Sequence, residues 1–181
     1  MTLKVIVAGS GGQGVMLLGK ILALSGMREG KNVTWLPAYG AEVRGGAAHC
    51  MVAISDKSIG SAYIHKADVL IAMNQPSLDK FKNRVTAKAA VFINASQVEN
   101  FHGHKRTWSY NFGQIAAEMG QPMVLNILML GALLSSMPVV KLETALQVIH
   151  DVAPENKKHL VEINQKALIA GSKIFPQRKK V

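Results

Sequence analysis

The stretch that most restricts the fold lies near the start of the chain. Leu3-Lys4-Val5-Ile6-Val7-Ala8 is a β-branched apolar run that ends in Gly9-Ser10-Gly11-Gly12-Gln13-Gly14, after which the spacing turns helical up to Glu29. A strand entering a glycine turn and then a helix commits the chain to an α/β layout. On the helix, Gly19, Ala23 and Gly26 recur at i, i+4 and i+7, a stripe of small residues that lets the helix backbone lie close on a sheet. Gly30 is placed to end the helix in a left-handed conformation. Residues 32–36 read as a second strand, and a strand-helix-strand unit of this length predicts a parallel pair joined by a right-handed crossover.

Further along, 47–55 reads as a strand, Asp56-Lys57 as a turn and 58–63 as a weaker returning strand, a β-hairpin added to the sheet. Residues 68–73 and 90–94 carry the pattern of buried strands, and 107–110 that of a short last one. Asn74-Gln75-Pro76 opens a short helix with proline in its first turn. From Asn111 the pattern is helical: a short helix closed by Gly120, an apolar helix between Pro122 and Pro138, then 141–152 and 154–175. The fold expected is a Rossmann-like three-layer αβα with a mostly parallel sheet, the hairpin addition and a helical C-terminal third. It forms a single domain over 1–175 followed by a basic tail, 176–181.

Composition removes several function classes. One cysteine, Cys50, in 181 residues cannot form an internal disulfide, hold an iron–sulfur cluster or close a cysteine-rich zinc site, and it points to a reducing, cytoplasmic setting. Its apolar surroundings mark it as a packing residue. His102 and His104 flank Gly103 without a third ligand nearby, so no metal is expected. The longest apolar segment, 123–137, contains Asn126 and is shorter than the ~20 residues of a spanning helix, so no membrane span is expected. The net charge is +10, of which Arg178, Lys179 and Lys180 supply three. The other cations are scattered and lack interleaved aromatics, which speaks against nucleic acid and for an anionic ligand or an acidic protein partner.

Gly9, Gly11 and Gly14 have the spacing of a dinucleotide-binding turn. Such a fold also needs an acidic residue at the end of the second strand to hold ribose hydroxyls, and the sequence there is Thr34-Trp35-Leu36-Pro37. An autonomous Rossmann-type nucleotide-binding enzyme is therefore the weaker reading. The loop suits a phosphate or a partner's polar group, or it serves only close strand-helix packing. In a parallel sheet this loop, the 39–46 loop, Asn74-Gln75 and 94–96 would emerge along one rim, which offers backbone donors, amides, Glu42 and Arg44 but no nucleophile paired with a base.

Gly9-Ser10-Gly11-Gly12-Gln13-Gly14-Val15 together with Tyr39-Gly40-Ala41-Glu42-Val43-Arg44-Gly45-Gly46 resembles the gamma subunit of the 2-oxoacid:ferredoxin oxidoreductases. Asp68-Val69-Leu70-Ile71-Ala72-Met73-Asn74-Gln75-Pro76-Ser77 and the segment from Asn126 through Gly131-Ala132-Leu133-Leu134 are similar to the same pattern. The wording is most like the 2-oxoglutarate branch, with the pyruvate, branched-chain 2-ketoacid and indolepyruvate branches as alternatives. The resemblance implies a complex that decarboxylates 2-oxoglutarate oxidatively to succinyl-CoA. Thiamine diphosphate with magnesium, iron–sulfur clusters and coenzyme A belong to the complex, with no cofactor on this chain. Its implied partners are alpha, beta and ferredoxin-like delta subunits, with ferredoxin or flavodoxin as acceptor. No residue here is assigned a catalytic role. Gly9, Gly11, Gly12, Gln13, Gly14, Tyr39, Gly40, Glu42, Arg44, Gly45 and Gly46 are the candidates for contact with partner subunits or coenzyme A phosphates, with Arg44 as the ionic element.

Overall fold

A computed structural model of the chain describes residues 2–40, 47–99, 101 and 104–175. The described elements begin with β1 (Thr2–Ser10), α1 (Val15–Arg28), β2 (Asn32–Tyr39), β3 (Ala47–Ser55), β4 (Ala67–Ala72), α2 (Gln75–Phe81), β5 (Val85–Asn94) and β6 (Thr107–Tyr110). The helical third follows as α3 (Phe112–Glu118), α4 (Leu125–Ser136), α5 (Leu142–Asp151) and α6 (Val161–Ser172), with 3₁₀ turns at Pro122–Val124 and Glu155–Leu160. The second of these turns occupies the start of what the sequence reads as one helix over 154–175.

The six strands form one sheet in the order β2-β3-β1-β4-β5-β6. β1, β4, β5 and β6 pair in parallel, whereas β3 lies antiparallel to both β1 and β2. The expected parallel pairing of β1 with β2 is therefore corrected: the two strands share a direction but β3 stands between them. Burial explains the order. β3 has an almost unbroken inward run from Ala48 to Ser55, while β2 alternates between exposed and half-buried positions, so β3 takes the interior place and β2 the margin. The bond from Gly40 N to Ala47 O at 2.8 Å fixes the alternation of this pair. It puts Pro37 opposite Cys50 in a non-hydrogen-bonded pair, with the proline nitrogen turned away from β3.

The hairpin thus exists, but between β2 and β3. The returning strand expected over 58–63 is absent, because both edges of β3 are already paired and that segment has no ladder to join. Instead Ser61 Oγ accepts from Tyr63 N at 3.1 Å in a local turn, and Ile64 drops into the core.

Two cores flank the sheet. On one face Val5, Val7, Val52, Val69, Ile71 and Phe92 pack against α1 and α3 to α6. On the other, Ile6, Ala8, Met51, Leu70, Val91 and Ile93 meet α2 and Ile64. Along α1, a Cβ on Gly19 would strike Cys50 Sγ and one on Gly26 would come within 3.0 Å of Val33 Cγ2, so the small-residue stripe does set the helix against β2 and β3. α4 is buried from Leu125 to Leu134, covered by helices of this same chain.

Among the described glycines, the closest backbone approach joins α4 to α6. A Cβ on Gly131 would meet Leu168 O, and one on Gly171 would meet Leu128 O, so two helix backbones touch directly. Gly171→Ala is accordingly expected to cost about 1–3 kcal/mol by overpacking. Gly60→Ala, with nothing within 4 Å of its new Cβ, should stay within about 0.5 kcal/mol of the parent. Urea denaturation midpoints at unchanged slope measure both.

Candidate functional site

β1, β2, β4, β5 and β6 run in one direction, so their carboxyl ends share one edge of the sheet. The 9–14 turn closes there on the side chain of Gln13. Ser10 N donates to Gln13 Oε1 at 2.7 Å, and Gln13 N donates back to Ser10 O at 3.1 Å. Asn74, at the end of the β4 loop, donates through Nδ2 to Ser10 Oγ at 2.6 Å and to Gln13 Oε1 at 3.1 Å. Its Oδ1 caps α2 by accepting from Ser77 N at 3.0 Å. Gln13 Nε2 donates to Gln97 Oε1 at 2.7 Å, and Gln97 O accepts from Gln75 N at 2.9 Å. Ser96 Oγ donates to Asn94 Oδ1 at 2.8 Å in the loop after β5. Amides and hydroxyls alone thus hold the turns after β1, β4 and β5 together.

Glycine is required at two points of the turn. A Cβ on Gly9 would lie 2.7 Å from Gln13 Oε1 and 2.9 Å from Val15 Cγ2, so the Gln13 side chain could not fold back. Gly14, at φ 74°, is the N-cap of α1, and a Cβ there would run into the carboxamide of Asn126. No side chain caps α1, so its first amides have no side-chain acceptor.

A cavity of about 590 Å³ opens beside that helix start. Ser10, Gly11, Gly12 and Gly14 line it from the first turn, and Tyr39 from the end of β2. Tyr39 is 74% exposed. Gly40 follows on the same edge, while Gln13 belongs to the amide network and Gly9 gives it room, and neither lines the wall. Glu42, Arg44, Gly45 and Gly46 lie outside the described residues, as do His102 and the 176–181 tail. Lys20, Lys157 and Asn126 also line the cavity; the sequence marks Asn126 as the polar residue of the apolar 123–137 segment and as part of the family-like pattern, without a site role, and gives no sign of the two lysines.

The described wall contains no aspartate or glutamate and no nucleophile beside a base. Among the described residues, no group of three histidine, cysteine, aspartate or glutamate side chains is placed to hold a metal. Nor is any described helix long and apolar enough to cross a membrane. Cys50 lies in β3 under α1, its thiol donating to Val15 O at 3.6 Å, and burial pushes it up to about 12. His49 faces the other side of the sheet, its ring 4.8 Å from that of Phe81. Burial first, then the charges of Lys80 and Arg84, lowers its pKa and favours the neutral ring.

Residues 4–174 match the family described as pyruvate ferredoxin/flavodoxin oxidoreductase. The ketoisovalerate oxidoreductase subunit VorA of Methanothermobacter thermautotrophicus is 32% identical over 169 residues, 93% of this chain. The chain spans about a third of that relative, 35% of its length. The 2-oxoglutarate synthase subunit KorC of Methanocaldococcus jannaschii is 30% identical over 186 residues, covering 100% of this chain and 96% of its own. The crystal structure of the keto/oxoacid ferredoxin oxidoreductase gamma subunit from Geobacter sulfurreducens superposes with a TM-score of 0.80 at 29% identity, over 93% of this chain and 95% of that one.

The state of Cys50 is directly measurable. A thiol reagent at pH 8 is expected to leave the folded chain unmodified and to titrate one thiol per chain after unfolding in guanidinium. Because the folded thiol titrates at about 12 against 9.0 for a free one, its contribution to stability falls as pH rises from 9.0 toward 12.

Proposed function

Since the chain belongs to the pyruvate ferredoxin/flavodoxin oxidoreductase family and corresponds over nearly its whole length to gamma subunits of 2-oxoacid oxidoreductases, we propose that it serves as the gamma subunit of a 2-oxoglutarate:ferredoxin or flavodoxin oxidoreductase. In this reading the complex decarboxylates 2-oxoglutarate oxidatively and passes the acyl group to coenzyme A, giving succinyl-CoA. Alpha and beta subunits carry thiamine diphosphate with its magnesium, and a ferredoxin-like delta subunit carries iron–sulfur clusters. The residues of this chain do not suit those groups: a single, buried cysteine cannot hold a cluster, and the described residues offer no carboxylate cluster for a metal. A cytoplasmic location follows from the same reading.

One observation carries the accessory role. The 9–14 turn is fixed by amides and exposes backbone donors at an edge it shares with Tyr39, with no acid–base pair in reach among the described residues. Such a surface suits binding and positioning. We place the 9–14 turn and the 39–46 segment, Arg44 included, against the thiamine-binding subunits, where they help seat coenzyme A phosphates.

The 2-oxoglutarate reading is supported by the end-to-end correspondence with the KorC chain. The similarity to the VorA chain favours a branched-chain 2-oxoacid as the second reading. Co-expression with its partner subunits and assay against 2-oxoglutarate, pyruvate, indolepyruvate and 2-ketoisovalerate decides between them. The expected outcome is the highest kcat/KM on 2-oxoglutarate; a preference for 2-ketoisovalerate establishes the second reading. Arg44→Ala is expected to weaken assembly or raise the KM for coenzyme A about tenfold, at a scale of 1–2 kcal/mol. Unchanged assembly and unchanged Michaelis constants would remove Arg44 from the site.

A further inference from the structure

The end of the sheet opposite the glycine turn carries a compact group of cations. Lys66 directly precedes β4 and Arg84 directly precedes β5, so both stand at the amino ends of neighbouring parallel strands. Hydrogen bonds tie the two approaching segments together. Ala67 N donates to Arg84 O at 2.8 Å, Lys66 Nζ to Asn83 O at 2.6 Å, and Arg84 Nη2 to Ile64 O. Arg84 Nε donates to His65 O at 3.5 Å.

The Arg84 guanidinium is held in place in advance of any partner. Its Cζ stands 5.1 Å from the centre of the Tyr63 ring and 5.5 Å from that of Phe81. The carbonyls of Ile64 and His65 use two of its five N–H groups, which leaves three donors in a fork whose orientation is already set. Lys80 Nζ lies over the same Phe81 ring, 5.6 Å from its centre. Lys82 is paired with Asp79 at 2.7 Å, but among the described residues Lys66, Lys80 and Arg84 have no carboxylate within ion-pair distance. His49 on β3 registers the resulting field: burial first, then the positive charges of Lys80 and Arg84, lowers its pKa. The rings in this group are already occupied. Phe81 is 1% exposed, and Tyr63 carries Arg84 over its face and the His65 ring at 4.8 Å. Single-stranded nucleic acids are held by successive open rings, so what this face offers is charge without a stacking platform.

We propose that this face docks an acidic segment of a partner polypeptide. One carboxylate takes the free N–H groups of Arg84, and others pair with Lys66 and Lys80. A second copy of the chain, itself at +10, is electrostatically the wrong occupant. The contact is separate from the one assigned to the glycine turn, since it lies at the other end of the strands and on the α2 side of the sheet. It holds whichever 2-oxoacid the complex uses, so the two readings can fail separately.

Fluorescence anisotropy on the full chain tests it with three labelled probes: the acidic peptide Glu-Asp-Glu-Gly-Glu-Asp-Glu, its amide counterpart Gln-Asn-Gln-Gly-Gln-Asn-Gln, and a short deoxythymidine oligomer. Saturable binding of the acidic peptide, about tenfold tighter than its amide counterpart, is expected. The double variant Lys66→Gln/Lys80→Gln is expected to weaken that binding about fivefold. Lys141→Gln/Lys173→Gln removes the same charge from the helical side of the molecule and should change it less than about twofold. All four lysines are exposed, so both variants should fold like the parent. On the unaltered chain, amide resonances of 63–66 and 80–84 are expected to shift on adding the acidic peptide. Absence of saturable binding, equal losses in the two double variants, or shifts confined to other segments would overturn the proposal. Tighter binding of the oligomer than of the acidic peptide, lost in Lys66→Gln/Lys80→Gln, would overturn it in favour of nucleic acid.

Discussion

The antiparallel pairing of β3 with two strands at once sets the geometry of everything on the loop edge. Because β3 reverses direction between β1 and β2, those two strands point the same way and deliver Tyr39 to the edge where the 9–14 turn emerges. Because β3 also occupies the slot between them, they stand about 10 Å apart, twice the usual strand spacing. That gap separates β2 from the place beside β1 where a dinucleotide-binding sheet would present its ribose-holding carboxylate. The sequence at the end of β2, Thr34 to Pro37, contains no such carboxylate. Strand order and residue content thus agree that the glycine turn has been kept while the ribose subsite has not.

Much of the fold was legible because its cues are local. The β-branched run before the turn, Asn74 and Asn111 as helix caps, Gly30 and Gly120 with positive φ at helix ends, and the 107–110 strand are each decided within a few residues. The place of β2 beside β3, not β1, is illegible in the sequence for the opposite reason. Which strand is central depends on how fully each can be buried, and that comparison sets β3, apolar along nearly its whole length, against β2, interrupted by Thr34 and Pro37. The absent strand over 58–63 has the same origin, since its loss follows from β3 having no free edge.

The candidate site divides in the same way. The convergence of the glycine turn with Tyr39 could be read from strand direction, but Asn126, Lys20 and Lys157 come from helices far apart in the chain and meet only after α4 and the 3₁₀ turn before α6 have packed over α1. The bonds that organise the turn, from Gln13, Asn74, Ser10 and Gln97, involve no group that titrates near neutrality. Carboxylates whose pKa is lowered by ion pairs, such as Asp79 with Lys82 and Asp151 with Arg28, sit on exposed surface. The described hydrogen bonds between the turns after β1, β4 and β5 are therefore insulated from pH.

The two margins of the sheet close the account of how this molecule can meet its neighbours. At one margin Pro37 replaces an outward N–H with a ring near the carboxyl end of β2, and at the other β6 offers four residues. Neither border can template a long run of main-chain pairing with another polypeptide. Assembly by ladder extension is disfavoured on both flanks, which leaves loops and helix faces as the adhesive parts and works against end-to-end polymerisation of the chain with its own copies.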